Sequence, residues 1–514
     1  MQNQTSTAAK DLLAVLALFA AALAVKGMIV AADRVINPDG AIYIAAAEQL
    51  ARGHFRASLA IYPMPFFPFL LALSHWLIPD WIRAGQALST ISFALILPPL
   101  FFLARDLFDR QAALAAGLLY LTLPVFNLPS ADILREPPFL LCMITAVWAG
   151  CRALASGQLR YFAVFTLSAL LAVLCRLEGL LMPAAFLLAW AVACRRQPAA
   201  RPALLQGGLL LLVFPLALAA TWWLGKVCAW PNFNRLEEIG ARLGLEGGGH
   251  GFLYTYQLVT GSMKKLQQTL PGGRLANNLL EVSRHYAPLI YLLGMAEMFA
   301  KAVFPTTLIL VAGQLFSRSR IRPPARLFLA LLLGGYLVFI LLLNVNQNFI
   351  VERLFLLPVL LVLPLAGRTL AAWGRHCREK RKTVLLVAVG LVFLGLPLGK
   401  TIQKTGGEET VLITAGHWLR DYGQQHQFVP AYNDPRLPFY AGRLEEIATC
   451  NPRNRELISQ LSPQVDFLGF HLAKRKAASL PPIDGFVVQR RFTGRRHEVL
   501  FFSRSSRPSS PDAK

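Results

Sequence analysis

The sequence predicts a polytopic α-helical membrane protein with about eleven transmembrane helices and a small α/β domain at the C-terminal end. Composition is the first observation: 55 % of the 514 residues are hydrophobic and only 15 % are charged, whereas a soluble domain carries about 25 % charged residues. Grouping is the second, because the apolar residues form runs close to the roughly 20 residues that cross a bilayer. The mean hydropathy of +0.48 agrees with both.

The apolar runs place the predicted spans at 11–31, 83–104, 111–127, 138–154, 160–175, 179–194, 204–225, 288–316, 327–345, 351–372 and 383–399. The first run is too long for the core of a signal peptide, so we interpret it as a retained anchor. Residues 62–79 are also apolar, but Pro63, Pro65 and Pro68 interrupt them. Because proline disrupts a helix interior, we expect a re-entrant or interfacial element there.

The distribution of Lys and Arg predicts the orientation. The net charge of +23 would indicate nucleic acid in a soluble protein, but here the basic residues flank predicted spans and face lipid, so no nucleic-acid partner is expected. Basic clusters at 195–201, 318–326 and 375–382 are separated by even numbers of crossings. The positive-inside rule makes these loops cytoplasmic. We therefore expect a multi-pass protein of the inner (plasma) membrane with a cytoplasmic N-terminus and an external, periplasmic C-terminal domain.

This topology divides the chain into a transmembrane domain at 1–400, with external loops at 32–82 and 227–287, and an external domain at 401–514. In the latter, residues 410–426 have the pattern of an amphipathic helix, and FVVQRRF and EVLFFSR, joined by TGRR, predict a strand pair. The last ten residues are predicted to be disordered. The seven cysteines include no CxxC pair and the nine histidines no HExxH, so no zinc or histidine metal site is indicated.

The first external loop contains a candidate catalytic acid. Asn37 is a good N-cap and Pro38 a good first helical residue, which places Asp39 in the first turn of a short helix ending near Gly53. The helix dipole favours an ionised carboxylate there, as a general base or a metal ligand requires. The alternative is that Asp39 only complements the dipole.

A second group stands before the span at 138–154. Asp132, Arg135 and Glu136 place two carboxylates and a guanidinium at the membrane surface. Arg135 could hold a phosphate through two hydrogen bonds while a carboxylate binds sugar or metal. The alternative is ordinary helix capping, with Arg135 as a neutralising partner.

Further charged residues stand at other external span ends. Arg176 and Glu178 are costly near hydrocarbon unless they are paired or functional, and a structural ion pair is the simpler interpretation. Glu352 and Arg353 form a similar pair of neighbours before the span at 351–372. Of these two, Arg353 is the better candidate for binding an anion.

Several of these segments resemble the GT-C glycosyltransferases of family 39, the dolichyl-phosphate-mannose-protein mannosyltransferase and aminoarabinose-transferase-like group. The similar segments, in chain order, are NPDGAIYIAAAEQLARGHF, YPMPFFPFLLAL, LPSADILREPPFLLCMITAVWAG, ERLFLLPVLLVLPLAG and AYNDPRLPFYAGR. Each motif alone is loose, but their order and their predicted side of the membrane match the family over most of the chain.

The resemblance implies a GT-C-like fold and inverting transfer of a sugar from a polyprenyl-phosphate donor to a lipid, glycan or protein acceptor at the external face. Asp39 would be the general base, and Arg135, Arg176 or Arg353 would stabilise the leaving phosphate. Tyr62, Asp132, Glu136 and Glu178 complete the implied substrate-binding residues.

The chain also departs from the family pattern. The first-loop acid of the family is often followed by a second acid, but Gly40 stands here, which argues against a two-carboxylate metal site at this point. The use of a divalent metal ion stays open. So does the choice between Asp132 and Glu136 as the second functional acid, although Glu136 fits better because it immediately precedes a span.

Two other functions are compatible with the sequence. An O-antigen ligase or polymerase would use Arg and His residues of a large external loop, and the loop at 227–287 contains Arg235, Arg242, His250, Arg274, Arg284 and His285. A membrane transporter would carry its functional charges at mid-membrane depth. The acids found here stand at span ends, which disfavours a transporter.

Overall fold

The structure is a computed structural model that describes residues 2–33, 35–227, 254–269, 274–314, 321–347, 350–404, 410–451, 458 and 464–504. Residues 228–253 and 270–273, about half of the loop at 227–287, lie outside the described residues, and so do the last ten residues, for which we predicted disorder. The chain forms two compact units. The helical unit comprises Met1–Lys26, Thr90–Pro129 and Arg135–Gln403, and the mixed unit comprises Gly27–Ser89, Ser130–Leu134 and Lys404–Lys514.

The described α-helices are, in chain order, α1 Gln2–Ala32, α2 Pro38–Ala51, α3 Phe55–Ile61, α4 Phe66–Leu77, α5 Trp81–Leu95, α6 Leu97–Leu107, α7 Arg110–Thr122, α8 Pro124–Asn127, α9 Glu136–Ser156, α10 Leu159–Cys175, α11 Leu181–Arg196, α12 Arg201–Gly208, α13 Val213–Val227, α14 Tyr254–Thr269, α15 Arg274–His285, α16 Ala287–Val303, α17 Pro305–Gly313, α18 Pro323–Gln347, α19 Leu356–Glu379, α20 Thr383–Gly390, α21 Leu396–Lys404, α22 Val411–Gln425, α23 Arg436–Tyr440 and α24 Lys474–Ala478. The strands are β1 Pro430–Tyr432, β2 Phe467–Ala473, β3 Phe486–Thr493 and β4 His497–Arg504.

The described helices confirm a multi-pass membrane protein. Eight of them are long and apolar enough to cross a bilayer, and the number rises to eleven if each of three bent helix pairs is one span. The eight are Ala8–Ala32, Trp81–Leu107, Glu136–Ser156, Leu177–Arg196, Pro198–Ala217, Pro323–Asn346, Glu352–Glu379 and Thr383–Gln403. Of the other predicted spans, 111–127 lies in the bent pair of α7 and α8, and 160–175 matches the shorter apolar helix α10. The predicted span 288–316 covers α16, which is the second arm of another bent pair, and α17.

The proline-rich segment after the first loop has the broken geometry that its sequence predicts. Helices α3 and α4 meet at an angle of 118° across residues 62–65. Phe67 and Leu71 of α4 pack inward with Ala46 of α2, whereas Trp76 at its far end is 79 % exposed. A bent, half-buried element of this kind fits a re-entrant or interfacial segment better than a straight span.

A buried lysine in the helical unit binds polar groups at the bend between α7 and α8. The Lys26 ammonium donates to the backbone oxygen of Phe126 at 2.5 Å and to Oδ1 of Asn127 at 3.0 Å. It also lies 4.9 Å from the ring centre of Phe93 and 5.3 Å from that of Tyr120. Helix α7 ends and α8 turns away just before these acceptors. Lys26 therefore binds polar groups that the broken helix leaves inside the unit.

The C-terminal part of the mixed unit contains a four-stranded sheet in the order β1-β2-β4-β3. Strand β1 pairs parallel to β2, and the other neighbours are antiparallel. Helix α22 covers one face, where Leu412, Ala415 and Leu419 pack with Phe467 and Phe501. The predicted amphipathic helix and the predicted β3–β4 pair are thus confirmed, and the small C-terminal α/β fold with them.

The loop at residues 32–82, predicted to be external, packs with the C-terminal segment. The core around α2 includes Ile44, Tyr62 and Phe67 of the loop and Ile447 from the C-terminal segment. The domain boundary near residue 400, drawn from composition, assigned this loop to the transmembrane domain. The structure instead groups residues 27–89 with the C-terminal segment, because apolar side chains of α2 have their partners there.

Candidate active site

Arg176 is the centre of an ion-pair cluster in the helical unit. Its Nη1 donates to Oε1 of Glu136 at 2.6 Å, and its Nη2 donates to Oε1 of Glu178 at 2.8 Å. The three side chains are only 9 %, 10 % and 16 % exposed, respectively. Removing two acids and a base from water is costly, and their mutual attraction offsets that cost only when the geometry is good. The structural pairing considered for Arg176 and Glu178 is present, and Glu136 joins it.

A small pocket opens beside this cluster. Glu136 and Arg176 line it together with Tyr336 and with Arg353, which stands in the short 3₁₀ turn before α19. Among the described residues, Oε2 of Glu136 is buried and has no hydrogen-bond partner. One carboxylate oxygen is therefore available to a ligand or a water molecule.

The side chains that line this pocket carry an excess of one positive charge. The lining includes the guanidinium groups of Arg176 and Arg353 and the carboxylate of Glu136. Arg353 is exposed, so its side chain can reach a ligand. Arg176 is held between two carboxylates and cannot move toward that ligand. The arrangement suits a phosphate group better than a cation.

In the mixed unit, Asp39 stands in the first turn of α2, as its sequence predicts. Asn37 occupies the N-cap and Pro38 the first helical position, and the Asp39 side chain is half-buried. The Asn37 side chain makes no capping hydrogen bond. Instead its Oδ1 accepts from the backbone N–H of Ile133 at 2.8 Å, and its Nδ2 donates to the Ile133 oxygen at 3.3 Å. The two bonds tie the start of α2 to the segment that contains Asp132.

The position after Asp39 has no room for a side chain. A Cβ built on Gly40 would lie 2.7 Å from Oδ1 of Asn37 and 3.1 Å from Cβ of Ile133. The Asn37 amide is fixed by Ile133, so it cannot yield cheaply. A second acid at position 40 is therefore incompatible with this packing, which explains the departure from the family pattern.

The two candidate acids that precede the predicted span at 138–154 belong to different units. Asp132 is half-buried in Ser130–Leu134 of the mixed unit, whereas Glu136 begins α9 of the helical unit. Asp132 precedes the residue that Asn37 binds, and Glu136 is engaged by Arg176. The two acids have different surroundings.

Tyr62 lies inside the aromatic core beneath α2. Its ring is 8 % exposed and meets the Tyr43 ring edge-on at 4.9 Å, and Tyr43 contacts Phe67 in the same way. This packing gives Tyr62 a structural role in the core around α2. A binding role for Tyr62 stays a prediction.

Sequence reasoning missed a charged cluster that adjoins the start of α2. Arg436 donates to Asp434 through Nη2 at 2.9 Å, and Nδ1 of His471 lies 2.9 Å from the same carboxylate. Burial would raise the Asp434 pKa, but hydrogen bonds from His471 and Arg436 hold that pKa well below its usual value. Arg436 also reaches the Ile36 oxygen at 3.4 Å, and the Ile36 N–H donates to the hydroxyl of Tyr440 at 2.9 Å. Only the motif AYNDPRLPFYAGR, noted for its resemblance, signalled this cluster.

Within the described part of the chain, no three or more His, Cys, Asp and Glu side chains are grouped to hold a metal ion. Asp39 lacks a neighbouring acid at position 40.

Comparison with solved structures relates the whole chain to known folds. The structure of ArnT from Cupriavidus metallidurans bound to undecaprenyl phosphate superposes with a TM-score of 0.56 at 17 % identity, covering 95 % of this chain and 97 % of that one. The chain has the GT-C fold. The Archaeoglobus fulgidus oligosaccharyltransferase in its apo form gives a TM-score of 0.53 at 11 % identity, covering 89 % of this chain and 69 % of that one.

The amino-acid sequence was also compared with family models and with curated proteins. Residues 62–223 of this GT-C chain match the family model described as dolichyl-phosphate-mannose-protein mannosyltransferase. No curated protein sequence matches the chain. The family match and the structural neighbours confirm the resemblance recognised in the sequence motifs, although the identities are low enough that the structural likeness establishes the fold alone.

Proposed function

We propose that the chain is a membrane glycosyltransferase that moves a sugar from a polyprenyl-phosphate donor to a lipid, glycan or protein acceptor. The observation that carries the proposal is the GT-C fold over 95 % of the chain, shared with a structure that holds undecaprenyl phosphate. A related archaeal structure contains dolichol-phosphate and an inhibitory peptide, with a TM-score of 0.51 at 12 % identity. The match of residues 62–223 to a mannosyltransferase model supports the same reaction class.

Asp39 is the proposed general base. Its place in the first turn of α2 lets the helix dipole stabilise the carboxylate, the form that accepts a proton. In the proposed step, an acceptor hydroxyl or amine attacks the anomeric carbon and gives its proton to Asp39. The bond from that carbon to the phosphate oxygen breaks, and its electron pair leaves with the polyprenyl phosphate. Direct displacement inverts the anomeric centre and needs no covalent enzyme intermediate.

The arginines of the helical unit are the proposed phosphate-binding groups. The leaving phosphate gains negative charge as the bond breaks, so fixed guanidinium groups stabilise the transition state more than the ground state. Exposed Arg353 is the proposed direct contact, while Arg176 is held by Glu136 and Glu178. The pocket that Arg353 lines with Arg176 and Tyr336 has room for about one water molecule, so the phosphate is proposed to meet Arg353 at the exposed edge of the pocket and not inside it.

Asp132 is the second acid that we propose to act with Asp39. It lies in the mixed unit beside Ile133, which Asn37 fixes to the start of α2. Glu136, which the motif order favoured, is instead proposed to position Arg176. The two proposed roles predict different defects. Loss of Glu136 should weaken binding of the donor phosphate, and loss of Asp132 should weaken use of the acceptor.

We further propose that the reaction takes place at the external face of the inner membrane. The polyprenyl chain must stay in lipid while the phosphosugar meets its acceptor at the water interface. Acids and arginines at predicted external span ends match that requirement. A divalent metal ion is left open as an additional participant.

Turnover of a lipid-linked donor tests the proposal. Purified full-length chain in nanodiscs is mixed with polyprenyl-phosphate sugars and extracts of membrane lipids and glycans, and released polyprenyl phosphate is measured by mass spectrometry. A glycosyltransferase yields free polyprenyl phosphate and a heavier acceptor in equal amounts. A transporter would leave the donor intact, and that result would remove the proposal. Lipid profiles of cells with and without the active chain then identify the acceptor.

A further inference from the structure

A cavity of about 610 Å³ opens in the helical unit far from the Glu136–Arg176 cluster. It lies where α6, α9 and α11 end, at Leu107, Ser156 and Arg196, and where α18 begins at Pro323. Helix α9 has 21 residues and begins at Glu136, so this end lies about 30 Å from that cluster. The cavity is therefore separate from the proposed phosphate site.

The cavity wall is apolar inside and basic at the mouth. Leu103, Cys151 and Leu154 are buried side chains of the wall, and Arg196 and Arg322 are exposed lining residues. Four separate helices contribute to this lining. An apolar wall combined with cationic groups at the end of membrane-spanning helices has the amphipathic character of a phospholipid.

One wall of the mouth is fixed by an acid at the centre of a hydrogen-bond network. Asp106 accepts from Arg152 at 2.5 and 2.8 Å, from Nε1 of Trp148 at 3.1 Å and from Arg105 at 3.1 Å. Its single negative charge is thus already shared between two arginines. Among the described residues that line the cavity, Asp106 is the only acid, and its charge is already shared between Arg105 and Arg152, so the other lining arginines are not neutralised by it.

Those remaining arginines have their donors available. In the described ranges of the chain, the side chains of Arg196 and Arg322 make no hydrogen bond or ion pair. Each guanidinium presents five N–H donors in a planar fork that matches phosphate oxygens. Two such groups together would satisfy a phosphate that carries a full negative charge.

We propose that this cavity binds the phosphate of an anionic phospholipid from the leaflet at this end of the helices. The acyl ester region would lie against Leu103 and Leu154, and the phosphate would bridge Arg196 and Arg322. Under the orientation predicted from Lys and Arg, this is the cytoplasmic leaflet. The site is independent of sugar transfer.

Native mass spectrometry of the purified full-length chain, with phosphatidylglycerol or phosphatidylcholine added, tests the site. The test variant is R196Q/R322Q. The matched control is R195Q/R201Q, which removes two exposed arginines close in sequence to Arg196 that do not line the cavity. Loss of two charge-assisted contacts should lower phosphatidylglycerol retention by at least about tenfold in the test variant. The control should retain it as the parent chain does, and phosphatidylcholine should bind more weakly to all three.

Equal retention of phosphatidylglycerol by R196Q/R322Q and the parent chain would overturn the proposal. A competition arm with glycerol 3-phosphate separates a lipid headgroup from a soluble phosphate. The lipid assignment requires that millimolar glycerol 3-phosphate leaves phosphatidylglycerol bound. If it displaces the lipid with the same dependence on Arg196 and Arg322, the ligand is a soluble phosphate and the lipid assignment is wrong. Matching thermal unfolding curves for the three proteins exclude misfolding as the cause.

Discussion

Asn37 and Gly40 shape the surroundings of Asp39 in different ways. An asparagine at an N-cap normally accepts a hydrogen bond from its own helix, but the Asn37 side chain binds the backbone of Ile133 instead. Asp39 is then the acidic residue in the first turn that complements the helix dipole. Gly40 allows Asn37 and Ile133 to approach α2 closely. Small changes at these positions should therefore be felt by the whole start of the helix.

We predict that Gly40→Ala lowers the thermal stability of the chain. The added Cβ meets Asn37 and Ile133 at distances that force a shift, and overpacking of this kind costs about 1–3 kcal/mol. Gly27→Ala is the matched control, since Gly27 is also helical and a Cβ there meets nothing within 4 Å. The control should be neutral or stabilising by up to about 1 kcal/mol. Equal melting shifts of the two variants in detergent would show that α2 has room at position 40.

The second prediction at this scale concerns the donor phosphate. Arg353→Ala should weaken donor use, because a charge-assisted hydrogen bond contributes about 1.5–3 kcal/mol. Arg353→Lys should restore only part of the loss if the contact is bidentate. The measurement is kcat/KM for a polyprenyl-phosphate sugar, with Arg368→Ala as a control at an arginine that contacts Phe108 instead. Parent kinetics in Arg353→Ala would assign Arg353 a structural role.

The sequence predicts individual residues well where the determinants are local. Asn37 and Pro38 predict the start of the helix that contains Asp39, because helix capping depends on adjacent residues. The Arg176–Glu178 pair was anticipated for the same reason. The bond from Arg176 to Glu136 spans 40 residues, and Tyr336 joins the pocket from still farther along the chain. Such contacts depend on helix packing, for which a single sequence carries no local signal.

At the scale of elements, the C-terminal sheet and α2 form parts of one compact unit. Ile447 packs into the core under α2, and Arg436 and Tyr440 bind the backbone of Ile36 just before that helix. The segment from β1 to α23 carries Asp434, which holds Arg436 in place. A change in the charge of Asp434 should therefore reach the start of α2 through Arg436.

The pH dependence of stability tests this cluster. The Asp434 pKa is lower in the folded chain than its usual value, so its ionised form stabilises the fold. That contribution is complete above the unfolded pKa of about 4 and is lost as the pH falls below it. We predict that Asp434→Asn lowers the melting temperature at pH 7 and loses less further stability than the parent chain between pH 5 and pH 3.

Asp421→Asn is the control for that experiment, because Asp421 stands on α22 of the same unit with its side chain 64 % exposed. It should follow the parent chain at every pH. If Asp434→Asn also shows the parent's acid-induced loss in full, the Asp434 cluster does not contribute to acid stability.

Prediction of the sheet succeeded where strands are neighbours in sequence. The strand pair β3–β4 is joined by three residues and has β-rich composition, so its pattern is visible locally. Strand β1 has only three residues and pairs parallel to β2, which begins more than 30 residues later. A short strand in a parallel pair has neither length nor a hairpin turn to reveal it.

For the whole molecule, hydropathy was sufficient to predict the spans, because each span meets the same requirement for about 20 apolar residues. The division of the chain into compact units was harder to predict than the spans. The loop and the C-terminal segment are separated by more than 300 residues of membrane helices, and composition draws a boundary between them. The structure groups them because their apolar residues share a core.

The predicted orientation of the chain in the membrane can be tested by cysteine labelling. A cysteine introduced at exposed Asp421 should react with an impermeant maleimide in intact cells, and one at exposed Lys380 should react only after lysis. The expectation follows from the basic cluster at 375–382 and the positive-inside rule. The parent chain sets the baseline for its native cysteines. The reverse pattern would place the proposed site on the cytoplasmic face.

Asp39 is proposed to act as the base in sugar transfer. Turnover of a lipid-linked donor by purified Asp39→Asn protein measures this role. Asparagine keeps the size and the polarity of the side chain but cannot accept the acceptor's proton, so folding should persist while turnover falls by about 10²–10⁴. Glu136→Gln, which disturbs the Arg176 cluster, is measured alongside. A monodisperse Asp39→Asn protein that turns over within a few-fold of the parent chain would contradict the claim.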